Sequence, residues 1–547
     1  MIETLHRSDP AAWLRGLGRW ARSHLRVIPR SVLAITALFV VLGVWWSIIT
    51  PIGRPPDEPA HFDLVAAVAS SGRYPDYDGR VISQGAGLMK GVFPLLPEFA
   101  PERGARATLT DSGGNDPLLW PDSDTGKVSP VPNQMPQHPP LYYVVAAVGL
   151  RAARALAGGE FALDREVLML RLVGVAIVAP VPIWAFEAAR RLGASGVAAR
   201  GASAMTLGVP QLLHVSAAVS YTPLLVGIGA VLAVVLAGVM RGDERTSTAV
   251  RAGALVAGAL WTTSSAVFLI PWVGLVYLYR GWSNCSWRQA IRGASMSLGV
   301  ALAAGSPWWI RNWLVHGNPV PSTDSDQYAT IGRPDGFSPH PWEIVDLAIR
   351  YLPSRFFGSF GTMFSAPMRP ALVTALTILS ALGLVAALVP RRLGSDDGLA
   401  TSRLAVFLAP LPLLLGFILY RSWDLYQMSG FVTFLQGRYA FVAFVPFAVV
   451  VSAGLARLAR RWTPLLLILV ALIAQAEGSR AALDNWWAEP TASFARNLSA
   501  VSRWNPVSDT FPYVVLVVIA AVAMWLTVNL VRSTLGSGAS PHEATSA

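Results

Sequence analysis

Cysteine is almost absent from this chain of 547 residues, since Cys285 is the only one. No disulfide can form within the chain, and neither a thiolate metal cluster nor a Cys-x-x-Cys redox pair can be built. The large outer loops predicted below must therefore be held together by other contacts.

Charge is also scarce. Charged residues make up 14% of the chain and hydrophobic residues 53%, whereas a soluble globular protein has about 25% charged residues. The mean hydropathy of +0.47 indicates a polytopic membrane protein. The net charge of +11 does not indicate nucleic-acid binding, because the arginines cluster between hydrophobic spans and there report orientation in the membrane.

Long apolar segments are abundant. Residues 32–51 form an uninterrupted apolar stretch of about the 20 residues that a spanning helix needs, and no small-x-small cleavage site follows it, so we expect a retained anchor. The candidate spanning segments are 32–51, 139–157, 167–190, 198–218, 221–240, 249–263, 265–280, 291–310, 370–390, 404–421, 437–458, 463–477 and 512–532.

The positive-inside rule decides which candidate does not cross. Arginines from Arg15 to Arg30 place the amino terminus in the cytoplasm. A full crossing by segment 139–157 would put the next arginine-rich loops outside, and its own Arg151 and Arg154 would each cost roughly 2.5 to 3.5 kcal/mol at the midplane. We therefore expect an all-α polytopic protein with about twelve transmembrane helices and one re-entrant or interfacial helix.

This topology divides the chain into a few regions, with no separate soluble domain and no internal repeat. A basic cytoplasmic amino terminus precedes the transmembrane domain, and a small, polar, disordered cytoplasmic tail follows it. The three long loops are extracytoplasmic, and the first carries interfacial helices. The expected bounds are 1–31 for the amino terminus, 32–532 for the transmembrane domain, 52–166, 311–369 and 478–511 for the outer loops, and 533–547 for the tail.

The most unusual polar cluster follows the first span and contains Asp57, Glu58 and His61. One interpretation of Asp57 is a helix N-cap, because an aspartate before an apolar-periodic stretch accepts backbone N–H bonds. The other is a general base that takes a proton from an acceptor hydroxyl, with Glu58 or His61 orienting the acceptor. A divalent cation bound by these three residues is a further alternative, although they are few for a metal site.

Other polar clusters are predicted on the same outer side, so that one shared site is possible. Arg171, Arg311 and Arg438 are either ordinary headgroup anchors or a bidentate grip on a lipid phosphate. His138 precedes Pro139-Pro140, which by itself predicts a rigid helix start. The clusters are Gln137 to Tyr143, Ser220 to Thr222, Pro307 to Trp313 with His316 to Pro319, and Gln436 to Tyr439.

Taken together, these motifs resemble the GT-C superfamily of membrane glycosyltransferases. The resemblance rests on the acidic pair after the first span, the run His-Pro-Pro-Leu-Tyr-Tyr, Arg171, and Pro-Trp-Trp-Ile-Arg-Asn-Trp with Gly-Asn-Pro. Pro-Pro-Asp-Glu-Pro-Ala-His-Phe and Gln-Gly-Arg-Tyr are similar to a large bacterial family of predicted multi-pass membrane proteins. The motifs follow one another from Asp57 to Tyr439.

The resemblance implies a GT-C-like fold in a bacterial plasma membrane. It also implies transfer of a sugar from a polyprenyl-phosphate carrier to a glycan or lipid acceptor of the cell envelope, outside the membrane and with inversion. Asp57, with Glu58 beside it, would be the catalytic pair, and no cofactor or nucleic acid is required. The implied substrate-binding residues are His61, His138, Tyr142, Arg171, Arg311, Asn312, Arg438 and Tyr439.

Two departures from the superfamily pattern keep other functions open. Related sequences often carry Asn-Pro-Asp where this chain has Ser220-Tyr221-Thr222-Pro223, and many place a lysine where it has Thr262-Thr263-Ser264-Ser265. The alternatives are a lipid or glycan transporter or flippase, and a non-catalytic subunit of the same fold in envelope assembly. A transporter tends to keep ionisable residues near the midplane, often in repeated halves, and this sequence has few such residues.

Overall fold

The computed structural model describes residues 28–536, except for 88, 90–107, 112, 115, 122–127, 324, 327–331, 362–364, 391–399, 433 and 488–492. The predicted cytoplasmic amino terminus, residues 1–31, lies almost wholly outside the described residues. The described part of the chain is helical nearly throughout, as predicted, and two short antiparallel strand pairs lie in its loops.

The elements follow one another in chain order. The strand pairs are β1 (Leu119–Pro121) with β2 (Val128–Pro130), and β3 (Ser359–Phe360) with β4 (Ala366–Pro367). The helices are α1 (Arg30–Ile49), α2 (Glu58–Ser71), α3 (Gln84–Gly87), α4 (Leu141–Ala157), α5 (Leu163–Val178), α6 (Val181–Leu192), α7 (Gly196–Met205), α8 (Pro210–Ser216), α9 (Thr222–Met240), α10 (Thr246–Leu260), α11 (Leu269–Asn284), α12 (Trp287–Gly305), α13 (Pro307–His316), α14 (Pro341–Phe357), α15 (Pro370–Leu388), α16 (Thr401–Leu408), α17 (Pro410–Ser429), α18 (Phe444–Ala459), α19 (Thr463–Trp486), α20 (Phe494–Trp504) and α21 (Phe511–Gly536).

Seven stretches of the described chain are long and apolar enough to cross a membrane. Four of the predicted segments are not among the seven: 198–218, 249–263 and 265–280 form helices of 7 to 16 residues, and 291–310 is occupied mainly by α12. The Gly437–Trp486 stretch contains two helices, α18 and α19. The seven are Arg30–Ile49, Leu163–Leu192, Thr222–Met240, Pro370–Leu388, Thr401–Ser429, Gly437–Trp486 and Phe511–Leu535, and they make the protein an all-α polytopic membrane protein.

Helix α4 occupies the segment predicted to be interfacial, and it is not among the seven stretches. One face packs on α2, where its Arg151 donates to the carbonyl of Ala69. Arg154 forms a bidentate pair with Glu166, at 2.7 Å for both bonds. Both arginines thus have polar partners within the protein. The buried face consists of Tyr142, Tyr143, Ala146, Ala147 and Leu150, and the exposed one includes Val144, Val145, Val148 and Leu156.

A buried polar cluster centred on Asp63 connects α2 to the loop that follows it, which is part of the first predicted outer loop. Arg80 donates to both Asp63 oxygens, at 2.6 and 2.7 Å, and the backbone N–H of Ser83 and the side chain of Asn133 donate to the same carboxylate. Asn133 also donates to the carbonyl of Ala60. Because α2 carries His61, these bonds fix the loop against the helix that positions the candidate site.

Two predicted boundaries differ from those observed. Helix α19 continues to Trp486 instead of ending at 477, because Glu477, Arg480 and Asp484 satisfy one another along the helix surface. Helix α21 runs to Gly536, so the tail predicted as disordered from 533 is helical in its first residues. Residues 537–547 lie outside the described part.

Candidate functional site

Asp57 immediately precedes α2 and has a left-handed backbone conformation with φ 61°. For a residue with a Cβ, this conformation is roughly 1 to 2 kcal/mol less favourable than the right-handed one. Its side chain makes no capping hydrogen bond to the helix, so the N-cap interpretation does not explain it. The carboxylate instead accepts a hydrogen bond from Arg438 Nη2 at 2.9 Å, and its side chain is 34% exposed. The strained turn therefore presents a solvent-reachable carboxylate to an arginine 381 residues away.

Arg438 is positioned by a 3₁₀ turn, Gly437–Ala443, that precedes α18. Gly437 allows this turn to lie against α14, since a Cβ there would lie 2.6 Å from the Cα of Phe356. The guanidinium of Arg438 lies 5.3 Å from the ring centroid of Tyr439, which stacks on Phe434. The Gly-Arg-Tyr motif thus combines a close backbone approach, a cation and an aromatic support.

A wall of histidine and tyrosine rings adjoins this pair. His61 Nδ1 and Tyr143 Oη are 2.9 Å apart. The ring of Tyr221 lies 5.6 Å from that of His61 and 4.7 Å from that of His138. Tyr74 Oη donates to the carbonyl of His138 at 2.7 Å, which anchors the residue before the Pro139-Pro140 helix start.

Burial keeps both histidines neutral at pH 7. It lowers the pKa of His61 to about 3, against an opposing effect of the Asp57 carboxylate. The pKa of His138 is lowered to about 4, again mainly by burial and with Asp57 opposing. Neutral imidazoles donate and accept hydrogen bonds without adding positive charge. Neither histidine therefore adds a positive charge beside Asp57, whereas Arg438 does.

Glu58 and Arg171 form a separate, fully buried ion pair. Arg171 Nε and Nη2 donate to the two Glu58 oxygens at 2.8 and 2.6 Å, and the backbone N–H groups of Gly53 and Val219 donate to the same carboxylate. The remaining Arg171 donors bond to backbone carbonyls at the end of α1, namely those of Ser47, Thr50 and Pro51. The pair therefore joins α1, α2, α5 and the segment before α9, and it leaves no Glu58 oxygen directed at Arg438.

Arg311 and Asn312 lie on α13, apart from Asp57. The guanidinium of Arg311 bonds to Asp76 and to Asn312, and it lies over the ring of Trp308 at 5.4 Å. Trp308 contacts Tyr74, which in turn contacts Tyr143. A row of aromatic side chains therefore connects Arg311 to the Asp57 cluster.

The structure thus brings together five of the predicted site residues, namely Asp57, His61, His138, Arg438 and Tyr439. Tyr142 lies behind them against Tyr143, with ring centroids 5.3 Å apart. Sequence reasoning left out Tyr143 and Tyr221 as site residues, although both belong to motifs that it placed on the outer side. The sequence signal that could have identified both tyrosines as site residues is their place in motifs predicted on the same side of the membrane as Asp57.

The divalent cation considered for Asp57, Glu58 and His61 has no ready site there. Both Glu58 oxygens are taken by Arg171 and backbone N–H groups. Within the described ranges, no three His, Cys, Asp or Glu side chains come together as metal ligands. The prediction that no cofactor is required stays a prediction.

The segment that departs from the superfamily pattern also borders the cluster. Thr263 hydrogen-bonds to Tyr221 and lies 3.4 Å from the hydroxyl of Ser265. This part of the wall therefore carries hydroxyl groups and no charge.

Comparison with known proteins identifies the family. A family model described as predicted membrane protein (DUF2142) matches residues 39–451. The chain belongs to this family. No curated protein matches its sequence.

Two solved structures are similar to this member of the DUF2142 family in fold. ArnT from Cupriavidus metallidurans, bound to undecaprenyl phosphate, is 15% identical, with 93% of this chain and 78% of that chain covered and a TM-score of 0.46. The oligosaccharyltransferase of Archaeoglobus fulgidus, in complex with zinc and sulfate, is 10% identical, with 88% of this chain covered and a TM-score of 0.42. The match spans 57% of the oligosaccharyltransferase.

Proposed function

We propose that the protein is a membrane glycosyltransferase that moves a sugar from a polyprenyl-phosphate donor to a glycan or lipid acceptor of the cell envelope. The observation that carries the proposal is the pairing of Asp57 with Arg438. A strained backbone presents a partly exposed carboxylate, free of any capping role, to a guanidinium beside a histidine and tyrosine wall. Asp57 and His138 belong to motifs on which the GT-C resemblance rests, and Arg438 belongs to the Gln-Gly-Arg-Tyr motif of the bacterial membrane-protein family.

Arg438 is the group that we assign to the carrier phosphate. A guanidinium presents five N–H donors in a planar fork that suits phosphate oxygens, and Asp57 takes one of them at 2.9 Å. A phosphate that binds to this guanidinium competes with Asp57 for it. The incoming donor therefore frees the carboxylate at the place where the acceptor must react.

Asp57 then acts as the general base. The acceptor hydroxyl gives its proton to the carboxylate as its oxygen forms a bond to the anomeric carbon. The bond from that carbon to the phosphate oxygen breaks, and the lipid phosphate leaves with the electron pair while Arg438 stabilises its charge. Attack from the face opposite the phosphate gives inversion. Holding donor and acceptor together replaces a bimolecular encounter with an oriented one.

The neighbouring residues have supporting roles in this proposal. His61, His138 and Tyr439 line the reaction site, and Arg311 with Asn312 offers a second polar contact at the far end of the aromatic row. Glu58 and Arg171 are positioning residues, because their mutual bonds fix the turn that carries Asp57.

We place this site on the extracytoplasmic face of a bacterial plasma membrane. The support is the charge pattern: with α4 at the interface, the loops rich in arginine fall on the side of the amino terminus, opposite Asp57.

The test compares Asp57→Asn with Asp346→Asn, which makes the same change at an exposed position on α14. Membranes containing each variant at equal abundance receive radiolabelled lipid-linked sugars extracted from the producing cells, and label transferred to envelope glycans or lipids is measured. We expect Asp57→Asn to lose at least about a hundred-fold in rate, the usual size of a general-base contribution, and Asp346→Asn to transfer normally.

Undiminished transfer by Asp57→Asn would remove the general-base proposal. If the wild-type protein moves labelled lipid across vesicles without any transfer, and Asp57→Asn does so equally well, the protein is a transporter or flippase instead.

A further inference from the structure

A groove on the outer surface of the helix bundle belongs to no part of the site described above. Its volume is about 700 Å³. Helix α5 forms one side and the segment before α21 forms the other. Apart from one arginine, its lining is apolar: the lining residues are Arg165, Leu168, Met169, Leu172, Val173, Ala176, Pro506 and Val507.

The depth of this groove in the membrane follows from the packing of α5 on α1. The two helices are antiparallel, because Val175 lies against Gly43 whereas Arg171 reaches the carbonyls of Ser47 and Thr50. At 1.5 Å per residue, Ile49 lies about 9 Å above Gly43 and Arg165 about 15 Å above Val175. Arg165 therefore lies roughly 6 Å beyond the apolar end of α1, at the level of lipid headgroups.

The apolar part of the groove extends from that level into the hydrocarbon. Leu168 follows Arg165 by three residues, and Leu172 and Ala176 each follow at a further four, so these residues form one stripe along α5. From Arg165 to Ala176 the stripe is about 16 Å long. Its lower end thus lies within the same leaflet, since half of the hydrocarbon thickness is about 15 Å.

Arg165 is suited to an anionic ligand. It is exposed, and its side chain has no hydrogen-bond or ion-pair partner among the described residues. The carboxylate of the adjacent Glu166 is committed to Arg154, and Asp164 is buried. The position in the first turn of α5 adds the positive end of the helix dipole.

We propose that this groove binds an anionic phospholipid, with its phosphate on Arg165 and an acyl chain along the stripe of Leu168, Leu172 and Ala176. The groove faces outward, as Leu172 is 36% and Val507 is 52% exposed, so its occupant comes from the surrounding bilayer. On the same helix Arg171 is 2% exposed and points inward to Glu58. The lipid site is therefore separate from the proposed reaction site and does not depend on it.

The test measures lipids retained by the full-length protein in native mass spectrometry, with phosphatidylglycerol and phosphatidylcholine as probes. We expect the wild type to retain one phosphatidylglycerol in preference to phosphatidylcholine. Arg165→Gln should weaken that binding by roughly ten-fold, the value of one charge-assisted hydrogen bond. Ala176→Phe, which fills the groove, should remove the binding of both lipids.

Arg73→Gln is the matched control, because Arg73 is also exposed on the side of Asp57 but lies outside the groove. It should bind lipid as the wild type does. Phosphatidylglycerol retention that is unchanged in Arg165→Gln and Ala176→Phe overturns the proposal, as does an equal loss in Arg73→Gln. Retention of undecaprenyl phosphate but not of phosphatidylglycerol would show that the occupant is a polyprenyl carrier.

Discussion

Glu58→Gln should lower the free energy of unfolding, because it breaks the buried pair with Arg171 that fixes the Asp57 turn. The Glu58 side chain is fully buried and accepts four hydrogen bonds, two of them from Arg171 at 2.8 and 2.6 Å. A glutamine keeps one acceptor oxygen and replaces the other with an NH₂ group, which would face the N–H donors that now bond to that oxygen. The positive charge of Arg171 would then be buried without its carboxylate partner. Breaking such a pair from one side costs about 3 to 5 kcal/mol.

The assay is the free energy of unfolding in mixed micelles, followed by tryptophan fluorescence as sodium dodecyl sulfate is added. Glu187→Gln is the control, since Glu187 forms an exposed pair with Arg191 on one helix, and it should cost about 0.3 to 0.5 kcal/mol. Wild-type stability of Glu58→Gln combined with loss of sugar transfer would refute the reasoning, because Glu58 would then be a reacting group.

Two further predictions concern stability. The pKa of His61 is lowered to about 3 in the folded protein and is about 6.5 when unfolded, so the free energy of unfolding is highest above pH 6.5 and decreases as the pH falls. By pH 5 the decrease due to His61 reaches roughly 2 kcal/mol. His61→Gln should therefore reduce the slope of the unfolding free energy against pH, and an unchanged slope would contradict the assignment. Gly454→Ala should lower the unfolding free energy by about 1 to 3 kcal/mol, because its Cβ would overlap the carbonyl of Gly383 on α15. Gly416→Ala on α17 is the control, since a Cβ there meets nothing within 4 Å, and it should leave the unfolding free energy unchanged or raise it. Equal effects of the two variants would contradict the packing argument.

Much of the fold could be predicted from hydropathy and charge. Arg151 and Arg154 are the reason to predict that α4 does not cross, and both have polar partners in the structure. The end of α19 could not be predicted in this way, because Glu477, Arg480 and Asp484 satisfy one another and continue the helix where the sequence is polar. Hydropathy alone does not show where an apolar segment is divided into two helices, as at Pro210 between α7 and α8.

The site was only partly predictable, because its contacts are long-range. The Asp57 motif and the Gly-Arg-Tyr motif were both identified, and the pairing of Asp57 with Arg438 confirms that they share one volume. The resemblance implies that Glu58 is catalytic beside Asp57 and that Arg171 binds substrate. Their pairing across 113 residues is set by helix packing, so only the structure separates these positioning residues from Asp57.

A cryo-electron microscopy map of the protein with bound undecaprenyl phosphate tests the central claim most directly, since it locates the carrier relative to the paired side chains. The account predicts lipid phosphate density within hydrogen-bond distance of the Arg438 guanidinium, with the Asp57 carboxylate released from it and facing the same space. A phosphate bound away from both residues, with the Asp57 to Arg438 bond intact, would contradict it.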